Sequence, residues 1–243
     1  MKYILYISAL ALVYITTSCN EWNLFSDSTQ VQKTFETAES FHEIHIDGIF
    51  NVELEQNQNP GVIIKGTRDQ IQATQAFIEE GILYVKANSI QQWRSDYGKA
   101  SLTITVDSLS KLWSYKPIHL YSRDTIQSNK LWIYLIGELS ESDLTVKANY
   151  FRFVNAETST GKYHLTGKVE QFSCRLRGTG HLEARALKAR RVHFTQESLG
   201  DAYVYAEQNL EAIFNSTGNI YYSGSPSDIY KEANSSGKLI PLE

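Results

Sequence analysis

The sequence predicts an all-β chain wound as a β-helix-like solenoid of short coils, and three observations carry that expectation. Glycines recur at Gly161, Gly180, Gly200, Gly218 and Gly237, at intervals of 19, 20, 18 and 19 residues, each within a small polar cluster. After each of the first four, the second, fourth and sixth places are apolar or small: Tyr163, Leu165 and Gly167; Leu182, Ala184 and Ala186; Ala202, Val204 and Ala206; Ile220, Tyr222 and Gly224. A second alternating patch lies midway through most units, at Phe172, Cys174 and Leu176, at Val192 and Phe194, and at Ala212 and Phe214. A period of two sends alternate side chains to opposite faces of a strand, so each unit reads as about two strands with a dry and a wet side. A unit this short cannot bury its apolar side alone, and successive units must stack. An antiparallel sandwich competes, since its strands also recur every 8–12 residues or so. No Asn-Gly or Asp-Gly hairpin signal falls between the strands of this region, which favours the solenoid. The recurring glycines are expected at the bends, where positive φ costs them nothing.

Taken in order, residues 1–18 stand apart from the fold. Lys2 precedes an apolar run from Tyr3 to Ile15, which is too short for a bilayer span of about 20 residues. Ile15-Thr16-Thr17-Ser18-Cys19 resembles the processing site of a bacterial lipoprotein, with Thr16 where an aliphatic residue is usual. The resemblance implies that Cys19 becomes the mature N-terminus and carries lipid, and residues 19–34 then read as a tether. Cys174 is left without an intramolecular partner and, alternating with Phe172 and Leu176, reads as a small buried hydrophobe.

Residues 35–140 form an N-terminal β region, and residues 141–243 hold the glycine-punctuated repeats, so two β lobes are one expected arrangement. Ile44 and Ile46, then Phe50, Val52 and Leu54, alternate with polar residues on either side of Asp47-Gly48, a pair that signals a local hairpin. Val62–Gly66 and Ile82–Lys86 read as further strands. Between them Thr67 to Glu80 has helical spacing, with Thr67 as cap, Asp69 in the first turn and Gly81 as stop, giving one short helix near 68–80. Residues 87–99, with Trp93 and Tyr97, read as a surface loop. Strands are expected at Leu102–Val106, Ile118–Tyr121, Leu131–Ile136, Leu144–Lys147 and Phe151–Val154.

The run Phe41-His42-Glu43-Ile44-His45-Ile46-Asp47-Gly48-Ile49-Phe50-Asn51-Val52-Glu53-Leu54, with Val62–Gly66 and Gly81-Ile82-Leu83-Tyr84-Val85, resembles the opening of the putative auto-transporter adhesin, head GIN domain family. Gly200-Asp201-Ala202-Tyr203-Val204-Tyr205-Ala206, Thr217-Gly218-Asn219-Ile220-Tyr221-Tyr222-Ser223-Gly224-Ser225-Pro226 and Ser236-Gly237 are similar to its glycine-rich close. The chain departs from that pattern at Phe214-Asn215-Ser216-Thr217 and at Leu199-Gly200-Asp201. The resemblance covers about Phe35 to Leu242 and implies a single-stranded right-handed β-helix-like fold, on lipid-anchored or secreted proteins of Bacteroidetes-type bacteria. It brings no catalytic residues with it.

Chemistry is sparse. A net charge of -4 leaves no basic surplus for tracking a phosphate backbone, so nucleic acid is not an expected partner. His42 and His45 lie three apart on a strand and face opposite sides, and no His-Cys or His-carboxylate set has metal spacing, so neither metal nor cofactor is expected. Glu183 and Asp201 are the carboxylates nearest to a glycosidase pair, but they differ in offset from their glycines. No nucleophile elbow or phosphate-cradling loop is present. No residue is assigned a catalytic role.

Tyr203, Tyr205 and Tyr221 fall at outward places on successive units with Arg185 below them. They form either a candidate binding face for a glycan or an envelope protein, or a ladder that stabilises the sheet. The sequence therefore points to a non-enzymatic cell-envelope protein, lipid-anchored at the outer membrane on its periplasmic or surface face, that serves as an adhesin or ligand-binding scaffold. A polysaccharide-acting enzyme and a structural component of the outer envelope are the alternatives.

Overall fold

The alternation read along the sequence becomes a rule of burial. In β12 (Lys162–Gly178), Tyr163, Leu165, Phe172, Cys174 and Leu176 are buried while Lys162, His164 and Arg175 are exposed. The structure, a computed structural model, describes residues 29–36, 39–88 and 99–242. Its strands join into one hydrogen-bonded sheet that coils upon itself for about seven turns around a side-chain core. The expectation of a β-solenoid holds, and the sandwich is excluded by the parallel register of successive turns.

From β10 (Ile126–Leu135) onward the turns stack in chain order. β11 (Glu141–Asn155), β12, β13 (His181–Ser198) and β14 (Ala202–Phe214) each pair in parallel with the next. Beyond β14 the wall divides: β15 (Ile220–Ser223) leads to β17 (Leu239–Pro241), and β16 (Asp228–Ala233) extends the other side. Each long strand bends midway, so its first half contributes to one flat face and its second half to another. Inside, like residues stack on like: Phe151 lies 5.5 Å from Phe172, and Cys174 sits in register between Phe153 and Phe194. Cys174 is fully buried and unpaired, and burial pushes its thiol pKa well up, which fits the small hydrophobe expected of it.

The N-terminal turns do not stack in chain order. β2 (Glu43–Asp47) and β3 (Phe50–Gln56) form a turn that lies between β6 (Ile82–Ala87) with β7 (Ala100–Val106) on one side and β8 (Lys111–Ser114) with β9 (Ile118–Ser122) on the other. β2 and β3 do not pair with each other, so Asp47-Gly48 is a corner of the coil and not the hairpin that its sequence signals. β7 also receives β4 (Gly61–Thr67) antiparallel, and β1 (Gln30–Glu36) lies antiparallel on β4. These antiparallel strands cover an edge that a parallel stack would otherwise leave open.

Thr67 caps a helix as expected, with a reciprocal bond from Gln70, but α1 spans only Arg68–Gln72. The remainder of the expected helix is β5 (Thr74–Glu79), a hairpin partner of β6. Its turn is Glu80-Gly81 with φ of 51° and 74°, the primed geometry that matches strand twist. Gly81 thus closes a hairpin and does not stop a helix. The surface loop expected at residues 87–99, with Trp93 and Tyr97, lies mostly outside the described residues, as do Cys19 and residues 1–18.

The recurring glycines mark corners, but not through backbone handedness. Positive φ occurs at Gly167, Gly178 and Gly224, not at Gly161, Gly180, Gly200, Gly218 or Gly237. Those five are needed for close approach. A Cβ on Gly200 would collide with the carbonyl of Gly180, one on Gly218 with that of Gly200, and one on Gly237 with that of Gly218 at 2.6 Å. Gly161, Gly200, Gly218 and Gly237 form a ladder in which each backbone rests on a carbonyl one turn below, while Gly180 packs against the Asn155 side-chain amide. Buried polar side chains line its inner side. Ser198 Oγ donates to the Gly180 carbonyl at 2.7 Å and accepts from Gly200 N–H at 3.0 Å, while Gln196 Nε2 donates to the Gly200 and Asn219 carbonyls. Asn155 and Ser159 do the same two turns earlier, Asn155 bonding both the N–H and the carbonyl of Arg177. Corner backbone would otherwise be buried unpaired.

Gly218→Val is therefore expected to destabilise the fold by about 2–3 kcal/mol through overpacking against the Gly200 carbonyl. Gly61→Ala, where an added Cβ meets nothing within 4 Å, is expected to be neutral or to stabilise by less than about 1 kcal/mol. Denaturant midpoints of the two variants check both.

Candidate functional site

With the interior filled, chemistry is confined to the outer faces and corners. The first face carries the outward residues of the first halves of β12 to β14 together with β15. Register places Glu183 beside Tyr203 and Tyr203 beside Tyr221. The rings of Tyr203 and Tyr221 stack at 4.8 Å and 10°, His181 tilts against Tyr203 at 5.5 Å, and the Arg185 guanidinium lies 5.1 Å from the Tyr203 ring. Tyr205 stands two residues along the strand beneath the Lys188 ammonium, 3.8 Å from its ring. Three of the four residues singled out in the sequence thus form one cluster, and Tyr205 forms a second contact beside it. Arg185 is also held by Glu183 in two hydrogen bonds of 2.8 and 2.7 Å. Partial burial pushes the Glu183 carboxyl up, but the bonds and charge of Arg185 outweigh this and leave it below the usual carboxylate range.

The second face carries a longer aromatic run that the sequence reading passed over. Tyr84, His45, Trp113 and Tyr134 occupy one register column across four stacked strands. Phe77 stacks on Tyr84 at 5.2 Å, and Trp113 stacks on Tyr134 at 3.9 Å. His45 lies 5.3 Å from Tyr84 and 6.4 Å from Trp113, and Tyr115 closes on His45 and Trp113 from the side. His45 is fixed by Glu43 at 2.7 Å and by the Tyr115 hydroxyl at 3.0 Å. Burial pushes the Glu43 carboxyl up, but its bonds from His45 and Lys111 prevail and hold it low. The column ends at Val154, in register with Tyr134 and too small to continue the stack.

Beside that end an open groove of about 460 Å³ crosses the face, lined by Tyr150, Arg152, Gln171, Ser173, Arg175 and His193 among others. Ser173 is in register between Arg152 and His193, and its small side chain forms the floor between two long ones. Arg152 Nε is buried without a hydrogen-bond partner among the described residues. Arg175 is clamped on Glu197 by two hydrogen bonds of 2.7 and 2.6 Å, and His193 meets Glu211 at 2.8 Å. The bonds from Arg175 hold the Glu197 carboxyl below its usual range despite partial burial.

Register separates the carboxylates compared in the sequence. Glu183 pairs with Tyr203, whereas Asp201 accepts a corner bond from Asn219 N–H at 2.8 Å. Among the described residues no group of three or more His, Cys, Asp or Glu side chains could hold a metal ion. His42 and His45 are not brought together: His45 joins the aromatic column, and His42 lies by Gly81.

The chain is thus a glycine-cornered β-solenoid, in which a filled interior supports exposed columns of aromatic and polar side chains. Residues 40–226 match the family described as "Putative auto-transporter adhesin, head GIN domain", and the chain belongs to that family. Among solved structures, a putative adhesin from Bacteroides fragilis has a TM-score of 0.82 at 18% identity, covering 88% of this chain and 97% of that one. A putative lipid binding protein from Parabacteroides distasonis has a TM-score of 0.69 at 17% identity, covering 90% of this chain and 98% of that one. A putative adhesin from the same species has a TM-score of 0.64 at 16% identity, covering 89% and 98%. Likeness at these identities concerns the fold. The search of curated proteins finds no match.

Because the folded Glu197 carboxyl titrates below its ordinary value of 4.5, its ion pairs add stability that is fully present above that value and lost as pH falls through the lower folded value. Glu197→Gln is therefore expected to lower the melting temperature at about pH 6 and to have a smaller effect at about pH 3. Thermal melts of both proteins at the two pH values check this, and an equal gap at both contradicts it.

Proposed function

We propose that the protein is a non-enzymatic, lipid-anchored scaffold of the cell envelope that binds a glycan on its second face. The carrying observation is the groove over Ser173, where a small floor, an aromatic wall at Tyr150 and the unpartnered Arg152 Nε come together. Sugars are bound by rings that lie against C–H surfaces and by charged planar groups that bond hydroxyls, and Arg152, Gln171, Arg175 and His193 supply the latter. Arg152 is half-buried at the groove wall, where its guanidinium is placed to bond a ligand oxygen.

Family membership supports a role at the cell surface or envelope. Anchoring through lipid on Cys19, in the outer membrane, is the reading that the N-terminal sequence supports. The Tyr203, Tyr221 and Arg185 cluster is a second candidate contact on the opposite side of the repeats. Its rings face each other and Arg185 is held by Glu183, an arrangement that also serves sheet stability.

Turnover is disfavoured by the direction of the titrations. A glycosidase acid needs a carboxyl raised toward neutrality, whereas Glu43, Glu183 and Glu197 are each held low by a cationic neighbour.

Ser173→Trp is expected to fill the groove while leaving the core column of Phe172 and Cys174 untouched. Glycan-array binding should fall by about tenfold or more, the scale of one lost contact set, with an unchanged far-ultraviolet circular dichroism spectrum. Retained binding by a folded variant would remove the groove as the site.

A further inference from the structure

The corner between the two faces carries a column of lysines that borders the Ser173 groove at Tyr150 and Gln171 but shares none of its cations. Lys147 pairs in register with Lys168, and Lys168 with Lys188, so three ammonium groups stand on three successive turns. Neighbouring strands are about 4.8 Å apart, a spacing at which like charges directly opposite one another destabilise a sheet. All three side chains are exposed. Lys147 and Lys168 form no ion pair or hydrogen bond with the described residues, while Lys188 reaches the Arg185 carbonyl at 3.3 Å and the Tyr205 ring.

One further column flanks the lysines. Lys130, Tyr150, Gln171 and Arg191 follow one another in register around the corner, and Lys130 and Arg191 also lack an acidic partner among the described residues. Between the two lies the bend itself, with Asn149 bonded to Asn129 at 2.8 Å and Arg190 placed between Glu170 at 3.5 Å and Gln208 at 2.8 Å. Glu170 is the acidic residue within this strip, and it is shared with Arg190. An open groove of about 640 Å³ runs along the strip, lined by Gln127, Asn129, Lys147, Asn149, Lys168 and Glu170 among others.

We propose that this strip is a binding site for an acidic polysaccharide, a chain of sugar units bearing carboxylate groups, laid along the solenoid axis. The protein as a whole is acidic, with a net charge of -4, so a polyanion is not drawn to it by its total charge. Attraction is local to the strip, where several cations are unneutralised. The shape fits as well as the sign. The lysines recur about every 4.8 Å along the axis, so one extended chain laid along it passes all three, and the carboxylates on the side turned to the protein meet them. The amides of Gln127, Asn129 and Asn149 stand alongside to bond hydroxyls, and neutralising the column removes the repulsion between its members. A compact anion such as a single phosphate would engage one or two lysines and leave the rest of the column unpaired.

The test uses the full chain, with oligogalacturonate as the acidic probe, a neutral galactan of equal length as control, and vesicles of phosphatidylglycerol in phosphatidylcholine as the competing polyanion. Oligogalacturonate is expected to bind with an affinity that falls steeply as salt rises, and the neutral galactan to bind at least tenfold more weakly. Lys147→Gln/Lys168→Gln is expected to weaken oligogalacturonate about tenfold, the scale of two lost surface ion pairs. Lys147→Arg/Lys168→Arg retains binding. Ser173→Trp, which fills the groove on the second face, leaves oligogalacturonate binding intact, so the two sites are judged separately. Absence of oligogalacturonate binding, equal affinity of the folded Gln variant, or binding of the vesicles alone would each overturn the proposal.

Discussion

The molecule depends on one close contact, the backbone of a corner glycine resting on the carbonyl of the turn below. Side-chain stacking within the core also resists displacement, but a core side chain can answer a small offset by repacking its neighbours. The corner allows no such freedom, since a Cβ at Gly200 or Gly218 has nowhere to go. Ser159, Gln196 and Ser198 then hold the corner from within by bonding the groups that the bend leaves unpaired. Register is fixed once per turn, and every outward column inherits it. That is why Tyr203 stacks on Tyr221, why Lys147 meets Lys168, and why Ser173 lies between Arg152 and His193.

A scaffold of this kind separates stability from function along the strand. Inward places hold the core and change little in character from turn to turn. Outward places are free to vary, and here they vary by region: aromatic on the early turns of the second face, polar around Ser173, cationic at the bend. Ion pairs between neighbouring turns knit the faces, Arg123 with Glu53 away from the grooves and Arg175 with Glu197 at the wall of the groove over Ser173. Being partly exposed, they contribute modestly to stability, so their main effect is to fix side-chain positions around the open groups.

Much of the fold was legible because alternation and glycine spacing are local signals. The strands at 102–106, 118–121, 144–147 and 151–154 are present within longer elements, and that expected at 131–136 ends one residue early, at Leu135 of β10. Three features were not legible. The glycines announced corners, but sequence cannot distinguish a residue that needs positive φ from one that needs room for a neighbouring carbonyl. Thr67 announced a helix start, yet the pairing of β5 with β6 took the residues after Gln72, a tertiary override of helical spacing. The placement of the β2–β3 turn between two later turns leaves no local trace at all. The site divides in the same way. Tyr203, Tyr221 and Arg185 sit inside the glycine-marked repeats and could be aligned by eye, whereas His45, Trp113 and Tyr134 precede those repeats and share a column only through the out-of-order stacking. The lysine column was visible in principle as Lys147, Lys168 and Lys188, spaced 21 and 20 residues apart, but their offsets from the preceding glycines differ.

Amide hydrogen exchange at the corners tests the central account most directly. If the glycine ladder sets the register, the amides of Thr179, His181, Leu199 and Gly218, each bonded to the carbonyl of a turn below, exchange as slowly as those at the centres of β12 and β13. Exchange at these corners on the timescale of an exposed loop, with the strands still protected, would show that the core alone aligns the turns and would contradict the account.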